Sequence, residues 1–129
     1  MKIKMLVMDV DGTLTDGRIY MGADGEVMKA FDVRDGYGIK HILPKHDIIP
    51  VIITGRRSAI VERRCAELDI TELCQGVADK LEKLKALADK YGLVREEIAY
   101  IGRTCSCKRH ANCTNCVRAA VRRRTKKDW

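Results

Sequence analysis

Nowhere does the chain carry an apolar run approaching the roughly 18 residues that a membrane span requires, so the sequence gives no reason to expect a membrane-embedded helix. Met1 to Val10 holds Lys2 and Lys4, but its apolar stretch is short and Asp9 interrupts it, which argues against a secretory signal. A soluble, cytoplasmic protein is the expectation. Histidine is scarce as well. His41, His46 and His110 show no spacing relation to one another or to a carboxylate pair, so each reads as a surface residue.

Acidic residues are nearly missing from the last 27 positions, where Asp128 stands alone against nine Lys and Arg, a net charge of +8. Residues 1–102 hold 16 basic and 17 acidic side chains, a net charge of −1. The formal +7 of the whole chain would suggest a nucleic-acid or acidic partner if it were evenly spread. It belongs instead to one end. Cysteine follows the same division, with Cys65 and Cys74 in the body and four more between Cys105 and Cys116.

The 129 residues suit one compact domain, and 46% apolar with 33% charged residues is ordinary for a globular protein. Ile3 to Val10 reads as a buried parallel strand that runs into acidic residues and Gly12. Arg18–Met21 and Glu26–Ala30 alternate around Ala23-Asp24-Gly25, and the Asp-Gly pair predicts a β-hairpin turn. A helix is expected over Asp35 to Leu43, stopping before Pro44.

The run Ile48 to Ile53 predicts a second buried strand despite Pro50. Ser58 is the expected N-cap of a helix reaching Leu68, and Glu72 to Cys74 a short strand. Leu81, Leu84, Leu87 and Ala88 give Asp79–Tyr91 a helical spacing, with the stripe expected in the core and Gly92 as the stop. Ile98 to Gly102 is a last strand. Strands alternating with helices define an α/β fold with a parallel sheet, whose ligands bind beyond the carboxyl ends of the strands. Asp9, Asp11, Thr54 and the position after Gly102 all fall there.

Asp9-Val10-Asp11-Gly12-Thr13-Leu14-Thr15 is the strongest single signal. Two carboxylates spaced i, i+2 at a strand end can divide labour, one attacking phosphorus and the other moving protons, with a hard cation between them. Gly12 lets the backbone turn sharply there. An acidic strand-end turn without chemistry is the competing reading, since Asp and Gly favour turns in any case.

The segment DVDGTLTDGRIY resembles the first motif of haloacid dehalogenase superfamily phosphatases, in particular the sugar-acid phosphate phosphatases that lack a large cap domain. The likeness continues through Lys29 to Ile39, Ile52-Ile53-Thr54-Gly55-Arg56, Gln75-Gly76 with Lys80, and Tyr100-Ile101-Gly102. The resemblance implies a Rossmann-like fold with a hairpin flap, and Mg²⁺-dependent hydrolysis of 3-deoxy-D-manno-octulosonate 8-phosphate in lipopolysaccharide precursor synthesis. By the same resemblance, Asp9 is the nucleophile that forms an aspartyl-phosphate, and Asp11 protonates the leaving alkoxide and then activates water. Thr54 bonds a phosphate oxygen, and Lys80 neutralises charge beside Asp9 and the phosphoryl group. Mg²⁺ is held by Asp9, by the main-chain carbonyl of Asp11 and by an acid in a later motif.

The resemblance further implies substrate contacts at Asp11, Asp32, Val33, Arg34, Asp35, Gly36, Lys40, Arg56, Arg64 and Lys80. Arginine suits phosphate and carboxylate because its planar fork donates in pairs. A solvated helix face is the other reading of Arg56, Arg57, Arg63 and Arg64, and is preferred for Arg57 and Arg63. The resemblance also implies a homotetramer in which one subunit's hairpin closes its neighbour's site.

The likeness has departures. Thr13 stands where many relatives have Val, and Lys40 where relatives often have Arg, which keeps the charge and loses the bidentate fork. After Gly102 the family pattern expects a pair of acids, the first completing the Mg²⁺ site; this chain has Arg103-Thr104. A cation there repels Mg²⁺. Residues 1–102 are therefore read as an incomplete phosphatase domain, and 103–129 as a Cys/Arg-rich basic tail that is not a folded domain. Cys105, Cys107, Cys113 and Cys116, with His110, are one candidate zinc set, although no hydrophobic pattern supports a finger. A nucleic-acid-binding tail is the second reading, weakened because Trp129 is its only stacking residue. The favoured reading is a shifted reading frame from residue 103, since the change of composition cuts between a strand and its expected metal ligand. Translating the same DNA in the other two frames tests it: an acid pair after Gly102 in neither frame ends the idea.

Overall fold

A computed structural model describes residues 2–102 of the chain. Four parallel strands form the main sheet in the order β5-β4-β1-β6: β1 is Met5–Met8, β4 Ile49–Ile53, β5 Glu72–Cys74 and β6 Ile98–Ile101. Val7 pairs with Val51 on one side and Tyr100 on the other, which puts β1 in the middle. Alternation along these strands sorts the core into two layers. Met5, Val7, Val51 and Ile53 face α3 (Lys80–Tyr91) and meet Leu84 and Leu87. Met8 and Ile52 face the other way, toward Val61, Cys65 and Leu68 from α2 (Ala59–Glu67) and its end. Val7, Val51, Ile52 and Ile53 are fully buried, as a central parallel strand pair covered on both faces must be.

The helices start where their caps dictate. Ser58 Oγ accepts from the Val61 amide and Asp79 from the Glu82 amide, while Gly92 closes α3 in the left-handed conformation at φ 62°. Leu81 corrects the expected core stripe: it lies 44% exposed, so α3 buries Leu84, Leu87 and Ala88 only. Leu81 sits in the first turn, at the edge of the apolar arc.

The expected helix over Asp35–Leu43 is also corrected. Asp32 caps α1 (Val33–Tyr37), two residues earlier than predicted, because its carboxylate accepts the Arg34 amide. The chain then continues through a π-helical turn, Gly38–Ile42, and a 3-10 turn, Leu43–His46. Pro44 does not stop it. Proline is tolerated in the first turn of a helical segment, where no intrahelical partner waits for its missing N–H.

A separate hairpin joins β2 (Tyr20–Gly22) to β3 (Gly25–Met28). Its turn differs from the expected Asp-Gly type. Ala23 and Asp24 are the loop residues and keep negative φ, while Gly25 takes φ 118° and pairs with Gly22. Met21 pairs with Glu26 but Tyr20 with Met28, leaving Val27 as an extra residue, a β-bulge. Among the described residues no helix is long and apolar enough to cross a membrane. The readings of residues 103–129, including the zinc set, His110 and the basic tail, lie outside the described residues.

Candidate active site

Three neighbouring strand ends meet at one edge of the sheet. Asp9 follows β1, Thr54 follows β4 and Gly102 follows β6, and the Asp9 amide donates to the Ile101 carbonyl at 2.8 Å. Asp9 and Thr54 are the buried polar residues of the described chain, each 3% exposed. Lys80, at the first turn of α3, reaches back across 71 positions to give Asp9 Oδ2 a 2.8 Å ion pair, while the Val10 amide donates to Oδ1. Thr54 is held through its backbone, its N–H donating to the Cys74 carbonyl and its carbonyl accepting from Val77.

The loop after Asp9 is wound tightly. The amides of Thr13, Leu14 and Thr15 all point to the Val10 carbonyl, and Gly12 takes φ 80° so that the chain can turn at that point. Asp11 leaves this turn partly exposed and meets Lys29 Nζ at 2.6 Å. Lys29 lies one residue past β3, and its side chain is only 2% exposed. Its ammonium also pairs with Glu26 at 2.9 Å. Burial pushes the Lys29 ammonium down, but hydrogen bonds to Asp11 and Glu26 outweigh it, so its pKa is raised. Glu26 shows the opposite balance: burial pushes it up, and the Ser58 and Lys29 hydrogen bonds together hold its carboxyl below the usual range.

Glu26 carries the network onward. The Ser58 hydroxyl donates to its Oε1 at 2.6 Å, and Arg56 stands 4.0 Å from Oε2. Gln75 accepts from the Ser58 amide and donates to Glu62. The hairpin is thereby tied to both Asp11 and the start of α2.

The remaining expected contact residues form a second cluster. Arg34 is exposed and pairs with Asp32, the residue that caps its own helix. Val33 is 82% exposed, and Asp35 also faces solvent. Gly36 is buried beneath Arg64, whose guanidinium would meet any added Cβ at 2.5 Å. Arg64 lies 5.4 Å from the Phe31 ring centroid and pairs with Glu67. Lys40 donates to the Glu67 carbonyl at 2.8 Å. Leu14 lines a shallow crevice together with Phe31, Gly36 and Arg64, so the motif loop adjoins this cluster.

Sequence reasoning singled out Asp9, Asp11, Thr54 and Lys80; it did not single out Lys29 and Glu26. In a regular strand, residues i and i+3 point to opposite faces. The extra residue at Val27 brings Glu26 and Lys29 to the same side, and a bulge is not written in side-chain alternation. The signal on offer was two opposite charges, Glu26 and Lys29, three residues apart in the hairpin segment.

The residues expected to hold Mg²⁺, Asp9 by its carboxylate and Asp11 by its main-chain carbonyl, would offer it hard oxygens. Magnesium takes few protein ligands and fills its shell with water and phosphate oxygens, so these residues fit it. Among the described residues, no three His, Cys, Asp or Glu side chains are grouped around a metal position.

Fold and strand-end geometry are those of the haloacid dehalogenase superfamily. A subfamily III A hydrolase of that superfamily from Legionella pneumophila matches at a TM-score of 0.76 and 38% identity, over 81% of this chain and 57% of that one. Closer in sequence is the Escherichia coli 3-deoxy-D-manno-octulosonate 8-phosphate phosphatase KdsC, 52% identical over 100 residues, 78% of this chain and 53% of the relative. The Moraxella catarrhalis 3-deoxy-D-manno-octulosonate 8-phosphate phosphatase, solved with magnesium, phosphate and KDO, matches at a TM-score of 0.73 and 48% identity over 78% and 57% of the two chains. No protein-family model matches. The chain belongs to the 3-deoxy-D-manno-octulosonate 8-phosphate phosphatase family and spans about half the length of the curated relatives it matches.

Proposed function

We propose that this chain carries the phosphoryl-transfer centre of a Mg²⁺-dependent phosphatase for 3-deoxy-D-manno-octulosonate 8-phosphate. The observation that carries the reading is the buried Asp9–Lys80 pair at the strand ends, with Asp11 two residues on. An Asp9 carboxylate oxygen attacks phosphorus, the bond from phosphorus to the sugar oxygen breaks, and Asp11 gives that oxygen its proton. Water then attacks the aspartyl-phosphate, Asp11 takes the water's proton, and phosphate leaves with Asp9 restored. Lys80 neutralises charge on the phosphoryl oxygens, and Thr54 hydrogen-bonds one of them. Asp9 and the Asp11 carbonyl would hold Mg²⁺, which would add to the neutralisation of those oxygens.

Asp11, Lys80, Asp32, Val33, Arg34, Asp35, Gly36, Lys40, Arg56 and Arg64 are assigned to the sugar acid and its phosphate. The sequence limits of this reading are residues 1–102 for the phosphatase domain and 103–129 for a basic tail. A cytoplasmic homotetramer in lipopolysaccharide precursor synthesis completes it. The hairpin supports the assembly, since Ile19, Met21, Val27 and Met28 are 47–61% exposed and need cover from another surface.

A second reading, a catalytically silent domain, draws on Arg103 standing where an acidic metal ligand is expected. Phosphate release by the full chain, with Mg²⁺ and with chelator, separates the two. Turnover that chelator abolishes supports the phosphatase; a folded chain without turnover supports the silent domain. Faster turnover of another sugar-acid phosphate would overturn the assigned substrate alone.

A further inference from the structure

Among the described residues, Lys29 is the most deeply buried ion-paired side chain that the mechanism above leaves without a role. At 2% side-chain exposure it is less accessible than Lys80, which is 12% exposed. An ammonium is placed there at a large desolvation cost, so both of its partners matter. One partner, Asp11, belongs to the motif loop; the other, Glu26, belongs to the hairpin and is itself bound by Ser58 at the cap of α2. The bulge at Val27 supplies the extra residue that turns both charges to one side. Gly22 makes room for that bulge, since a Cβ there would lie 2.7 Å from Val27 Cγ1.

We infer that Lys29 is a positioning residue: it sets the orientation of the Asp11 carboxylate and, with Glu26, latches the hairpin to the motif loop and the start of α2. This rests on the phosphatase reading for Asp11, and the latch itself does not. A proton-transferring carboxylate free to rotate reaches its leaving group only part of the time, and misplacement of a catalytic group by about 1 Å can cost roughly a hundredfold. Lys29 limits that rotation. Ser58 and Arg56 fix the far end of the latch, so motion of the hairpin and aim of Asp11 are coupled.

The test compares the full wild-type chain with Lys29→Met and Lys29→Arg, all checked for folding by circular dichroism. Two readings are taken: steady-state phosphate release, and hydrogen exchange of the amides of residues 20–28 against those of β4. The expected result for Lys29→Met is a kcat lower by about ten- to a hundredfold with KM within about threefold. Lys29→Arg should recover most of the loss, and the hairpin amides of Lys29→Met should exchange several-fold faster with β4 unchanged. A Lys29→Met chain with kcat within about twofold of wild type would overturn the positioning role. Where the wild-type chain shows no turnover, the phosphatase reading has failed by itself. Hairpin exchange then decides the latch: faster exchange in Lys29→Met upholds it, and unchanged exchange ends it.

Discussion

Asp9 and Asp11 stand two residues apart, and each meets an ammonium, but the two ammonium groups come from different kinds of structure. Lys80 belongs to the α/β body, at the start of a twelve-residue helix whose inner face packs on the sheet. Lys29 comes from a two-stranded hairpin outside the main sheet. The difference in burial runs against expectation: Asp9 is the more buried carboxylate, yet Asp11 has the more buried lysine. One half of the site is thus a product of the core and the other half depends on a flap. Asp9 is held by the packed body, and Asp11 by the hairpin that carries Lys29.

The comparison can be broken first at Asp9. On the proposed mechanism, Asp9→Asn should lower phosphate release by about three orders of magnitude or more while leaving the fold intact, because it removes the nucleophile and keeps the volume. Lys80→Met is expected to cost roughly a hundred- to a thousandfold in kcat, the size of losing one preorganised charge on a transferring group. A loss under about tenfold would place Lys80 in structure and not in chemistry.

Stability separates body from periphery in the same way. Ile52→Ala, at a fully buried position, should cost about 2–5 kcal/mol in denaturant unfolding. Leu81→Ala should cost less than about 0.5 kcal/mol, because its side chain is half in solvent. Ser58→Ala falls between them at about 1 kcal/mol, through the lost cap on α2.

The smallest effect concerns Glu72, which accepts from Lys90 and, at 2.5 Å, from Tyr91. The Lys90 and Tyr91 hydrogen bonds hold its carboxyl below the usual range, against the opposing effect of burial. A depressed folded pKa stabilises the protein above the unfolded value, and that gain is lost as pH falls through the folded one. The stability gap between wild type and Glu72→Gln should therefore be present at pH 7 and shrink on acidification below the ordinary carboxylate range. A gap that widened with acid would contradict the assignment.

What could be read from the sequence follows the same line between body and flap. The central strands announced themselves as short apolar runs, β-branched and continuous over Ile48–Ile53, and Ser58 and Gly92 marked helix ends by residue type. Asp9 and Asp11 were legible because a strand-end pair of acids before a glycine is local in the chain. Lys29 was not, since its role depends on a bulge that shifts its face and on partners 18 and 3 residues away. The path after α1 departs from its sequence pattern for a local reason: Pro44 reads as a stop, whereas a new 3-10 turn accepts it at its start.

On the proposed mechanism Asp9 takes the phosphoryl group. The direct measurement is to acid-quench the chain during turnover of substrate bearing an isotopically labelled phosphate, and locate the label by peptide mass spectrometry. Label is expected on the peptide containing Asp9, at Asp9 itself, and none after Asp9→Asn. Phosphate release with no label on Asp9, or with label on Asp11, would contradict it.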